Sequence, residues 1–186
     1  MRVPVLIAAC LVALAPHPAF AQARPAAKPP APVVHAAPAP VKPPGPKAIG
    51  KFEDWTAATS VEAGQAVCYA FTRAQSSTPA VPGRGDVVLT VTERLTGRDA
   101  VALSAGFAYA ANAAVVLAVE QTNLDFYTAQ RSAFARDGHA VVAAFLKGKQ
   151  IAARSPGPKA APVVDQFSLK GFNAAYAAIV KACPPK

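Results

Sequence analysis

Side chains that carry chemistry are scarce in this chain. Its 186 residues include three histidines, three cysteines, one tryptophan and one methionine. His17 falls in an apolar leader and His35 in a proline-rich stretch, which leaves His139 alone in the remainder. One histidine cannot build a His-rich metal site, and Cys68 and Cys183 stand too far apart for a CxxC zinc or redox motif. No metal and no cofactor is therefore expected. A phosphate-cradling glycine loop is also missing: Gly83-Arg84-Gly85 follows a proline, not a strand. Aromatic residues make up 8% of the chain and are interleaved with few cations, which argues against a base-stacking surface and against nucleic acid as a partner. No internal repeat is visible.

What is present first is an export pattern. Arg2 supplies a positive start, Val3 to Ala15 an apolar core, and Ala19-Phe20-Ala21 a small-x-small cleavage site. Residues 1–21 read as a signal peptide, the apolar run being too short for an ordinary membrane span. An uncleaved anchor is one alternative. A lipoprotein is another, because Ile7-Ala8-Ala9-Cys10 resembles a lipobox. Cleavage after Ala21 removes Cys10 and leaves Cys68 and Cys183, an even pair that in an exported chain favours a disulfide. Two separately buried thiols are the other reading. The expected location is the periplasm, the outer envelope or the exterior.

Residues 22–51 form a spacer rich in Pro, Ala and Lys. Its prolines rule out helix and sheet and predict an extended polyproline segment or a plain tether. The formal net charge of +9 sits largely here: Arg24, Lys28, Lys42, Lys47 and Lys51 occur with no acid among them. Such a tail is suited to touch anionic envelope surfaces, or simply to keep a linker soluble.

Residues 52–186 should fold as one domain. Trp55 is expected as a core anchor on a first strand, and Gln65 to Thr72 as a second strand carrying Cys68. Ser76 to Gly85 reads as a loop. Asp86 to Leu95 alternates, with Val87, Leu89 and Val91 on one side, and pairs across a Thr96–Asp99 turn with Ala100 to Ser104. Ala113 to Val119 reads as a strand buried on both faces, Leu124 to Thr128 as its return and Ser132 to Arg136 as a short strand. A short helix is expected from His139 to Lys147 with Gly148 at its C-terminal cap, then a strand from Lys149 to Arg154 and a rigid loop from Ser155 to Pro162. The run from Asp165 to Cys183 reads as an amphipathic helix, with Phe172, Ala175, Tyr176, Ile179, Val180 and Cys183 on one face and Ser168 as N-cap. The fold class that follows is mainly β, a sandwich-like antiparallel sheet with one short helix and a C-terminal helix packed on it.

Three motifs invite a functional reading. Ala102-Leu103-Ser104-Ala105-Gly106 faintly resembles a nucleophile elbow and could pair Ser104 with His139 and Asp137, although its first glycine is missing. Glu53 and Asp54 are adjacent acids, which on a strand point to opposite faces and so cannot share a site. Arg84-Gly85-Asp86 spells a tripeptide used by extracellular adhesion ligands and would form a candidate adhesion loop after Pro82.

The order of features resembles the invasion-associated locus B family of exported bacterial proteins. The matching pieces are Phe52-Glu53-Asp54-Trp55, Cys68-Tyr69, Phe145-Leu146-Lys147-Gly148 and Phe167-Ser168-Leu169-Lys170-Gly171-Phe172-Asn173-Ala174-Ala175. The resemblance implies a β-rich periplasmic or outer-envelope domain without known catalytic residues, associated in pathogenic members with entry into host cells. Family members often carry a further cysteine shortly after the tryptophan, where this chain has Thr59 and Ser60, which leaves Cys68 with Cys183 as the disulfide. The resulting expectation is a non-enzymatic envelope protein that binds an envelope component or a protein partner, or gives structural support. The rivals are an envelope-acting hydrolase using Ser104 and His139, and an adhesin acting through Arg84, Gly85 and Asp86.

Overall fold

The computed structural model describes residues 45–158 and 161–185. The expected signal peptide, Cys10 and the spacer up to residue 44 lie outside them. Eleven strands form one sheet: β1 (Lys47–Phe52), β2 (Trp55–Glu62), β3 (Gln65–Arg73), β4 (Ser76–Thr78), β5 (Val88–Arg94), β6 (Gly97–Ser104), β7 (Ala114–Val119), β8 (Thr122–Ala129), β9 (Ser132–Ala135), β10 (Gln150–Pro156) and β11 (Pro162–Ser168). Helix α1 (Gly138–Phe145) lies between β9 and β10, and α2 (Phe172–Ala182) follows β11. The strand order is β1-β2-β3-β5-β6-β9-β8-β7-β10-β11-β4, and every pairing is antiparallel. This is the sandwich-like antiparallel architecture with packed helices that the alternation predicts.

Tight turns account for most of that order. The β2–β3 hairpin closes through Ala63 and Gly64, both at positive φ, the turn whose twist matches paired strands. Glu53, Glu120 and Gln130 take the same left-handed conformation at the first positions of the β1–β2, β7–β8 and β8–β9 turns. Inward positions recur with a period of two, as in Leu89 and Val91, Val101 and Leu103, and Val115 and Leu117. Trp55 is fully buried and seats α2: its ring lies 4.8 Å from Phe172, which lies 5.4 Å from Phe145 of α1, and its indole N–H donates to the Ser168 carbonyl at 2.9 Å. The Cys68–Cys183 disulfide joins β3 to the end of α2 across 115 residues of sequence.

Several expectations need correction. The sheet begins at Lys47, so five residues assigned to the spacer form part of an edge strand. Ser76–Thr78, expected as loop, is strand β4. β7 is buried on one face only; Ala114 is exposed and Val116 and Ala118 are half-buried. The Ser155–Pro162 segment is a hairpin connection in which Pro156 pairs with Pro162. The final helix does not start at Asp165. Val163, Asp165 and Phe167 point inward with strand periodicity, and the helix opens only at Phe172. Gly171 makes the break, at φ 86° and so close to Phe52 that a Cβ would sit 2.0 Å from its carbonyl oxygen. Ser168 is therefore not the N-cap; it ends β11, and its hydroxyl accepts from the Lys170 amide at 3.0 Å.

Candidate functional site

The outward positions of β7, β10 and β11 line an open groove of about 690 Å³. Its floor is small because Ala152 faces Ala118 on one side and Gln166 on the other. Gln150, Arg154 and Gln166 stand exposed around that floor. Lys149 comes from the α1–β10 turn, and Lys170 from the β11–α2 turn, where it pairs with Glu53 at 2.9 Å. Among the described residues Lys149 and Arg154 have no carboxylate partner. Glu120 is occupied at its edge, accepting from the Lys149 amide at 3.1 Å. The groove thus offers donors of positive charge, two amides and a shallow apolar floor.

A second cluster lies inside the molecule. Glu93 is fully buried, with Arg98 Nε 2.5 Å from its Oε2. Arg98 also donates to the Cys183 carbonyl at 2.5 Å, satisfying one of the open acceptors at the end of α2. The Asp99 amide donates to Glu93 at 3.2 Å, Tyr176 of α2 donates to the Asp99 carboxylate at 2.6 Å, and His139 of α1 hydrogen-bonds its other oxygen. Burial, reinforced by Asp99, raises the Glu93 carboxyl to about 7. Burial also opposes ionisation of Asp99, but hydrogen bonds from Tyr176, Glu93 and His139 outweigh it and hold that carboxyl below the usual aspartate range. Burial and the neighbouring Asp99 raise the Tyr176 phenol. Two carboxyls pushed apart in this way form a pattern also used for acid–base chemistry. Here Glu93 itself is fully buried, and the cluster ties both helices to β5 and β6, α1 through His139 and α2 through Tyr176 and the Cys183 carbonyl.

That lock has a signed pH dependence. Glu93 holds its proton more tightly in the folded chain than in the unfolded one. Its contribution is fully present below about pH 4.5 and is lost as pH rises through about 7. Asp99, shifted the other way, acts only in the acid range. Stability measured by denaturant titration should therefore fall between pH 4.5 and 7, and Glu93→Gln should flatten that slope while leaving the acid limb. An unchanged slope would remove Glu93 as its source.

The motifs read from sequence do not assemble. Asp99 faces the interior and Ser104 the opposite side of β6, five residues on, or about 17 Å along the strand. His139 is held at Asp99, and Asp137 caps α1 by accepting from the Ala140 amide at 3.0 Å. No triad of Ser104, His139 and Asp137 is built. The expectation of an exposed Arg-Gly-Asp loop is corrected too: the Arg84 side chain is 6% exposed and bound to Asp165, while Asp86 points outward to Arg73 at 3.2 Å. The groove and the buried cluster were not read from the sequence. The available signal for the second was an acid at an inward position, with Glu93 continuing the Leu89, Val91 alternation and Asp99 preceding Val101 and Leu103 in step.

Fold and site define a disulfide-closed antiparallel β domain, with two helices locked against it by a buried ionic cluster and a polar groove open on its outer face. Residues 55–180 match the sequence model of the Invasion associated locus B (IalB) protein family, and the chain belongs to that family. A solved structure with the same fold is that of invasion associated protein B from Bartonella henselae, at 17% identity and a TM-score of 0.53, covering 72% of this chain and 95% of that one. No curated protein matches the sequence.

Proposed function

We propose that this chain is an exported cell-envelope protein that works by binding rather than catalysis, its outer groove taking an anionic stretch of an envelope component. The observation that carries this reading is the pairing of Lys149 and Arg154, both without carboxylate partners among the described residues, with the amides of Gln150 and Gln166 over a small floor. Donors set around an open trough suit a charged polymer better than a small enclosed substrate. Export is supported by the apolar leader with its Ala19–Ala21 cleavage pattern and by a long-range disulfide, which persists in oxidising compartments.

The test is co-sedimentation of the full chain with purified lipopolysaccharide micelles and with peptidoglycan sacculi. Binding to at least one is expected, weakening as salt rises. The double change Lys149→Gln, Arg154→Gln should lower affinity about tenfold or more, since each lost charge-assisted bond is worth roughly 1.5–3 kcal/mol. Binding that survives the double change, or that follows residues 22–44 alone, would move the site from the groove to the spacer. Recovery of the chain only from the cytosolic fraction would overturn export.

A further inference from the structure

A second concave site lies where β6 and β9 part. Their ladder runs from Ser104↔Ser132 to Ala102↔Phe134 and stops, so Val101 and Ala100 have no partner on β9. The gap opens on the outer face as a trough of about 320 Å³. One wall is aromatic: Tyr127 and Phe134 are cross-strand partners, with ring centroids 5.6 Å apart and planes 31° apart. Tyr127 is 46% exposed, and Arg136 lies 5.7 Å from its ring centroid. Ala100 and Ala102 form the floor, and Thr92 and Arg94 the opposite wall.

From this we infer that the trough is a binding site for an uncharged saccharide, one or two rings in size. The aromatic wall offers a dispersive surface for the C–H face of a sugar ring. The opposite wall offers what hydroxyls need, since a hydroxyl both donates and accepts. Arg94, held by Glu62 at 3.0 and 3.2 Å, supplies donors, and the Thr92 hydroxyl on the same wall both donates and accepts. Arg98 at the closed end is likewise matched by Glu93. Arg94 is neutralised by Glu62, and Arg98 has Glu93 and the ionised Asp99 beside it, so the lining carries little excess charge to draw an anion, unlike the groove over β7, β10 and β11. Arg136, with no carboxylate partner among the described residues, lies on the Tyr127 ring and outside that lining. A wholly apolar ligand would use the rings and leave the Arg94–Glu62 fork idle. The volume lies near the lower end of the ~300–1,000 Å³ of small-ligand sites, which limits the occupant to a short segment. The inference stands independently of the groove.

The experiment is an amide-shift titration of the full chain with chitotetraose, cellotetraose and α-mannotetraose, and with a hyaluronan tetrasaccharide as the anionic counterpart. At least one neutral sugar should shift Thr92, Ala100, Ala102 and Phe134. Tyr127→Ala should weaken that binding tenfold or more, and Ala102→Leu, which fills the floor while keeping the rings, should abolish it. Both changes lie on the outer face, and an unaltered melting midpoint will show that the fold is kept. Arg154→Gln in the other groove should have no effect. Failure of all three neutral sugars to bind, preference for hyaluronan, or binding lost with Arg154→Gln but kept with Tyr127→Ala would each overturn the assignment.

Discussion

Reducing the disulfide, or replacing both Cys68 and Cys183 by serine, is expected to lower the melting midpoint by roughly 10–20 °C. The bond closes a loop of 115 residues in sequence. In the chain-entropy account a loop of that size confines the unfolded ensemble by about 4–5 kcal/mol, and losing a native disulfide commonly costs 2–5 kcal/mol. Against a total stability of about 5–15 kcal/mol that is a large share. The conversion to temperature follows from roughly 2–8 °C per kcal/mol for domains in this size range. The loss is also local. The α2 terminus would be left with Arg98 on the Cys183 carbonyl and Tyr176 on Asp99 as its polar holds, besides the packing of Phe172, Ala175 and Ile179. Amide exchange should therefore rise first in the last turn of α2. The double serine variant is preferred to either single one because it leaves no thiol to form mixed disulfides. Its midpoint should coincide with that of reduced wild type. A midpoint indifferent to reductant would mean that the buried contacts alone fix α2, and the covalent tie would lose its assigned weight.

That tie was legible in the chain because it needed only counting: with Cys10 set aside in the expected signal peptide, two cysteines are left over. The hairpins were legible because the alternation of Leu89, Val91, Val101 and Leu103 is local and has one period. The start of α2 was not, because two periods overlap there. Phe167 satisfies a strand ending at Ser168, while Leu169, buried and three residues ahead of Phe172, has the spacing that prolongs a helical stripe backward on paper. Gly171 decides the matter through an approach to Phe52 that is remote in sequence. The same holds for both concave sites. The groove needs β7 beside β10 and β11, and the trough needs β9 to leave β6 after Phe134, so each depends on strand order rather than on any motif. β1 escaped notice because its residues are mostly exposed and its lysines look like tail, although lysine on an edge strand is a usual guard against further pairing. The Arg-Gly-Asp string failed for a related reason: three letters say nothing of where a guanidinium goes.

Where it goes sets up the sharpest contrast available in this chain. Asp165→Ala is expected to cost about 3–5 kcal/mol, while Asp86→Ala, two residues from Arg84, should cost less than about 1 kcal/mol. Arg84 meets Asp165 through two bonds of 2.7 Å, and both side chains are buried. Ser77 on β4 adds a bond of 2.6 Å to the same carboxylate, Arg84 Nε donates to the Ala105 carbonyl at 2.6 Å, and the guanidinium lies 4.8 Å from the Phe107 ring centroid. One pair thus joins β11, edge strand β4 and the loop that carries Arg84. Deleting the carboxylate would leave a cation in the interior with no counter-charge, which is the expensive way to break such a pair. Removing both charges together, as Arg84→Met with Asp165→Leu, should recover a large part of the loss, because the desolvation penalty goes with them. The double-mutant cycle would then show coupling well above the few tenths of a kcal/mol expected of independent sites. Arg84→Lys should fall on the damaged side, since an ammonium cannot supply the forked geometry. Asp86 pairs with Arg73 in the open, with side chains 71% and 64% exposed, so water screens its loss. If Asp86→Ala proved as damaging as Asp165→Ala, or if Arg84→Ala left the melting midpoint untouched, the inward placement of Arg84 would be wrong and the loop would have to be read as exposed after all.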